Sequence, residues 1–169
     1  MFSGCSSLVH APSILPATTL ASDCYNSMFK KCTALTEAPT LPADTLANSC
    51  YDAMFAGCTS LETAPELPAT TLDFHCYNGM FNGCSSLVSA PELLATDLKG
   101  YCYFHMFSGC TKLNYVKAMF TTNLSNIVDA YVIDWLSGVS PTGTFVKSKD
   151  ATWSNTDAGI PTGWTVETV

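Results

Sequence analysis

The chain has 169 residues, enough for one domain of ordinary size, and a formal charge of −7. Hydrophobic residues make up 47% and can build a core; charged residues are only 12%, so Ser, Thr and Asn must carry much of the solubility. With only seven Lys and Arg, not clustered, the chain has no basic face for nucleic acid or an anionic membrane, because neutralising phosphates supplies most of such affinity. No apolar run approaches the roughly 18 residues that membrane insertion requires.

Met1 opens directly into repetitive sequence, with no charged segment followed by an apolar one, so no signal peptide is read. The pair Met-Phe recurs at Met1, Met28, Met54, Met80 and Met106, in steps of 27, 26, 26 and 26 residues. A Cys follows each Met by four positions, at Cys5, Cys32, Cys58, Cys84 and Cys110. Cys-Tyr pairs stand at Cys24, Cys50, Cys76 and Cys102, and Ala-Pro pairs at Ala11, Ala38, Ala64 and Ala90. A period near 26 lies within the span of about 20–29 residues that marks leucine-rich-type units. Met1 therefore reads as lying inside a repeat, with further repeats expected before it and an uncapped first unit able to self-associate.

In the unit from Met54, Leu61-Glu62-Thr63-Ala64 predicts a short strand. Pro65 and Pro68 cannot donate to a ladder, so the strand is held to three or four residues. Leu72, Cys76, Met80 and Cys84 stand four apart, with Tyr77 and Phe81 beside them. That spacing predicts a short helix over residues 73–82, ending near Gly83. The expected fold is an α/β solenoid: a right-handed stack of about five strand–turn–short-helix units over residues 1–139, with the last unit atypical. In that unit Val116, Met119, Phe120 and Leu124 keep the apolar columns, Trp135–Val139 replaces the Met-Phe-x-Gly-Cys phrase, and Tyr131 and Val139 fall where Cys would be. Residues 140–169 form a C-terminal β cap, with strands at 143–146 and 164–167 joined by a loop; Trp153, Ile160 and Trp164 cover the end of the core.

Nine cysteines allow three readings. Spacings of 8 and 18, without C-x2-C pairs or His at ligand spacing, argue against a metal. Within a helix, Cys76 and Cys84 would be roughly 12 Å apart, beyond the ~7 Å Cα limit for a disulfide. A ladder of buried free thiols fits best, with a disulfide in some pair as the alternative.

The phrase Met-Phe-x-Gly-Cys-Ser-Ser-Leu resembles the leucine-rich repeats of BspA-like surface proteins of gut Bacteroides and relatives. The matching positions are Phe2/Cys5/Leu8, Phe29/Cys32/Leu35, Phe55/Cys58/Leu61, Phe81/Cys84/Leu87 and Phe107/Cys110/Leu113. Leu-Pro-Ala-Thr-Thr-Leu at 15–20 and 67–72, and the ending Gly159–Val166, look like phrases of the same group. The Asn that the classical leucine-rich consensus places in a fixed loop has no counterpart here. The resemblance implies a cell-surface or secreted protein engaged in adhesion.

No nucleotide loop, zinc motif or nucleophile elbow is present, and no His-Asp constellation stands beside a Ser or Thr. The chain is therefore read as no enzyme, with no cofactor, no metal and no catalytic residue. Glu37, Glu62, Glu66 and Glu92 fall in strand-side columns and read mainly as a solvated face. Where the units differ, most hold Ser, Asn, Asp, Ala or Lys, but the third and fourth hold Phe74, His75, Tyr101, Phe104 and His105. Aromatic residues that a fold does not require can mark a recognition patch, and these five are the candidate binding residues. A second candidate is the strand-face column His10, Glu37, Thr63, Ser89 and Tyr115. The favoured function is a non-catalytic interaction or adhesion scaffold for a protein or glycan partner. The alternative is a structural or receptor-binding component of a phage or prophage tail appendage.

Overall fold

The computed structural model describes residues 1–121, 131–153 and 159–169. The α/β solenoid of strand–turn–helix units is not what forms: among the described residues there is no helix, and the strands are three. They are β1 (Tyr115–Ala118), β2 (Thr144–Lys147) and β3 (Thr165–Thr168). The strand expected at 61–64 reduces to an isolated bridge at Thr63, and the helix expected over 73–82 is a run of turns.

Backbone hydrogen bonds show what replaces the helix. In the second coil the N–H groups of Cys50, Asp52, Met54, Ala56 and Cys58 donate three residues back, to Ala47, Ser49, Tyr51, Ala53 and Phe55. The intervening N–H groups of Ser49, Tyr51, Ala53, Phe55 and Gly57 donate instead to the next coil, to Phe74, Cys76, Asn78, Met80 and Asn82. An α-helix would direct each of these donors four residues back within its own segment. Here alternate donors leave the coil, so each coil needs a neighbour to satisfy its backbone.

Every fourth residue in this segment has positive φ: Asp23, Ser27 and Lys31, then Ser49, Ala53 and Gly57, then His75, Gly79 and Gly83. A left-handed residue every four positions interrupts any right-handed helix. The sequence favours this outcome, because Ser, Asp, Asn and Gly compete with or weaken helical backbone. A four-residue turn places side chains with nearly the same spacing as a helix, so the stripe through Leu72, Cys76, Met80 and Cys84 is served equally well by turns. All four are buried.

The interior is a set of columns. Phe2, Phe29, Phe55, Phe81 and Phe107 stack face to face at 5.6–5.7 Å. Tyr25, Tyr51, Tyr77 and Tyr103 form a second stack at 5.8–5.9 Å. All nine cysteines are free; seven are buried, and Cys5 and Cys24, the first members of the two Cys columns, are exposed. The thiols of Cys32, Cys58, Cys84 and Cys110 donate to the carbonyls of Phe2, Phe29, Phe55 and Phe81, each at 3.1 Å.

The three strands form one parallel sheet in the order β1-β2-β3. Tyr115 pairs with Thr144, and Thr144 with Thr165. The same column runs back through bridges from Tyr115 to Ser89 and from Ser89 to Thr63, so the C-terminal strands extend the stacking direction of the coils. Trp135 donates to the Gly159 carbonyl at 3.1 Å and stacks on Trp153 at 5.5 Å. Ile160 and Trp164 are buried, and the Trp164 indole donates to Ser140. Leu124 and part of the expected loop at 150–163 lie outside the described residues.

Gly143 enters β2 through a narrow gap. A Cβ there would lie 2.5 Å from the Asn114 carbonyl oxygen and 2.8 Å from the Trp164 ring. Gly143→Ala is expected to lower stability by about 1–3 kcal/mol, because backbone must move to admit the methyl group. Urea unfolding checks this; an unchanged midpoint would show that the gap is not tight.

Candidate interaction surface

The five aromatic candidates come from the turn segments of adjacent coils, and inter-coil bonds bring them together: His75 donates its N–H to Gly100, and Gly79 to Phe104. The rings of His75 and Tyr101 stack at 4.8 Å with an interplanar angle of 2°. Phe104 meets Tyr101 edge-on at 5.6 Å and His105 at 4.0 Å. Phe74 packs over Gly100, where a Cβ would meet its ring at 3.0 Å. The four rings from His75 to His105 are thus contiguous, with Phe74 beside them. Phe74 is 51% exposed and Tyr101 42%, and His75, Phe104 and His105 are half-buried, whereas the inner members of the Phe and Tyr stacks have essentially no exposure, so the five rings lie outside the core.

His75, Tyr101 and His105 also sit at left-handed positions, with φ of 55°, 60° and 52°. Equivalent places in other coils carry Asp23, Ser49, Ser27, Ala53 and Gly79. For a side chain larger than Gly this conformation costs about 1–2 kcal/mol. Bulky rings at such positions are a strain that the fold does not require, and strain of this kind clusters at functional sites.

Polar groups border the patch. His105 Nε2 lies 4.0 Å from an Asp134 carboxylate oxygen, and Asn78 donates to Asp52 at 3.2 Å. Burial raises the Asp52 carboxyl above its ordinary range, opposed in part by the Asn78 bond. Asp134 and the Asp52–Asn78 pair were not legible as site residues. Their only sequence signal is that they stand in the same four-residue columns as the rings.

The strand-face candidates form a column of exposed residues: His10 bridges Glu37, and Thr63 bridges Ser89, which bridges Tyr115. Thr144 and Thr165 continue it, which the sequence pattern did not indicate. Among the described residues no three His, Cys, Asp or Glu side chains gather as a metal site.

The repeated threonines have structural duties. Thr33, Thr59 and Thr111 donate to the carbonyls of Ser6, Thr33 and Ser85, each at 3.4 Å, and so tie neighbouring coils together. The chain matches no family model, and no similar curated protein or solved structure is found.

Proposed function

We propose that the protein is a non-catalytic, cell-surface or secreted interaction scaffold whose stacked coils present Phe74, His75, Tyr101, Phe104 and His105 to a protein or glycan partner. One observation carries the reading: His75, Tyr101, Phe104 and His105 form a contiguous ring cluster, exposed at Tyr101 and half-buried at the others, with His75, Tyr101 and His105 on left-handed backbone that disfavours them, while the same positions elsewhere hold small or polar residues. Aromatic side chains supply large contact area with little conformational entropy to lose, which suits an anchor. The resemblance of the Met-Phe-x-Gly-Cys-Ser-Ser-Leu phrase to BspA-like surface proteins supports an adhesive role. A regular stack suits that role mechanically, because identical inter-coil bonds hold the patch on a rigid support.

The test replaces Phe74, Tyr101 and Phe104 together by Ser. Thermal unfolding is expected to change little, because these rings are outside the core. Retention on immobilised extracellular-matrix proteins and glycans is expected to fall at least about tenfold for whichever member binds the unaltered protein. Loss of folding in the variant would make the rings part of the core, and undiminished binding would remove the patch from the function.

A further inference from the structure

On the strand side, two shallow hollows adjoin. One, of about 490 Å³, lies between residues 36–38 and 62–65; the other, of about 370 Å³, lies between 64–68 and 91–94. Ala64 and Pro65 line both, so they make one trough crossing three coils. The trough coincides with a break in the backbone column. Bridges join His10 to Glu37 and Thr63 to Ser89, but among the described residues none joins Glu37 to Thr63. Pro39 and Pro65, which have no N–H to donate, follow shortly after this break.

The trough has an apolar floor and an acidic rim. Pro65 and Leu67 are buried, Pro91 is half-buried, and Leu94 is 40% exposed. Glu37, Glu62 and Glu66 are exposed on the rim, and among the described residues none forms an ion pair. Glu92 does: the Lys117 ammonium sits 2.7 Å from its carboxylate. That pair shows, within the molecule, the chemistry the remaining carboxylates accept. Glu37 and Glu62 border one hollow and Glu66 borders the other, so the trough carries negative charge along its length and favours a cationic ligand over a neutral or anionic one.

We propose that this trough binds an extended, lysine-bearing peptide segment, its apolar side chains on Pro65, Leu67 and Leu94 and its ammonium groups on Glu37, Glu62 and Glu66. The length of the trough over three coils suits an extended chain better than a compact cation. The apolar floor gives a peptide an advantage over a polyamine or a metal ion, which could use only the rim. This surface is separate from the aromatic patch, and its occupation does not depend on the function proposed for those rings.

Fluorescence anisotropy with a labelled eight-residue peptide alternating Lys and Val tests the assignment. Binding is expected to weaken about tenfold or more in the triple variant Glu37→Gln, Glu62→Gln, Glu66→Gln. A control with the same charge removed elsewhere, Asp97→Asn, Asp150→Asn and Glu167→Gln, is expected to bind as the unaltered protein does. All six positions are exposed, and circular dichroism confirms folding of both variants. A peptide alternating Lys and Ser is expected to bind more weakly, and so is the Val peptide to Leu94→Ser. The variant lacking the three aromatic rings should bind the Val peptide normally. Equal weakening in the two triple variants would reduce the effect to net charge. Equal affinity for the Ser and Val peptides would leave the floor without a role, and absence of binding would remove the site.

Discussion

Titrating the protein from pH 8 to pH 11 is expected to unfold it. Burial pushes the Cys50, Cys58, Cys102 and Cys110 thiols up to about 12, and those of Cys76 and Cys84 well above the ordinary value of 9.0. Cys32 moves the same way, also through burial. A thiol whose pKa is raised on folding keeps its proton in the native state after the unfolded chain has lost its own. Its contribution to stability is therefore whole below pH 9 and declines as pH rises from 9 towards 12. Each such group removes about 1.4 kcal/mol per pH unit in that window. Because all of these thiols move in the same direction, stability is expected to fall steeply through this window. Tyr51, Tyr77 and Tyr103 are raised by burial as well and act in the same direction at higher pH.

The measurement is a series of urea midpoints between pH 7 and 11 under reductant, with return to pH 7 to show reversal. A second arm uses Cys84→Ala, which is expected to be less stable at pH 7 yet to lose stability less steeply above pH 9, by about 1.4 kcal/mol per pH unit. A flat profile to pH 11 would mean that the thiols are not held in a dry interior.

Phe81→Ala is expected to cost about 3–5 kcal/mol, the range for emptying a buried aromatic site. Phe81 has no exposed surface, and its ring lies between Phe55 at 5.7 Å and Phe107 at 5.6 Å. The cavity therefore leaves both neighbouring rings without a stacking partner on one face. Its carbonyl accepts the Cys110 thiol, and its N–H donates to Met106, so the coil cannot shift to fill the space without giving up inter-coil bonds. The same change at Phe2 is expected to cost much less, since Phe2 is only half-buried and stacks on one neighbour, Phe29. Chemical denaturation of both variants gives the comparison. Similar losses at Phe2 and Phe81 would mean that position in the stack does not govern the cost.

Much of this molecule can be read without coordinates. A period repeated in the Met-Phe, Cys, Tyr and Ala-Pro columns requires equivalent side chains to meet, because a unit of about 26 residues cannot bury its own apolar face. The buried columns follow from that, and so does the grouping of Phe74, His75, Tyr101, Phe104 and His105 on neighbouring coils. The backbone that carries them does not follow. Apolar residues four apart satisfy a helix and a train of four-residue turns alike, so Cys76, Met80 and Cys84 leave the two undecided. The sign of φ at Asp23, Ser27, His75 and Tyr101 excludes the helix, and no side-chain pattern reports that sign except where Gly79, Gly83 and Gly109 hint at it.

Which side chains share an interior is already written in the order of residues, because hydrophobic burial depends on composition and spacing. Where the backbone donors go is settled by the packing of one coil on another. Half of them leave each coil for the next, a choice that exists only once a neighbouring coil offers its carbonyls. The break between Glu37 and Thr63, beside which the trough lies, belongs to that second level, since it arises from how adjacent coils pair.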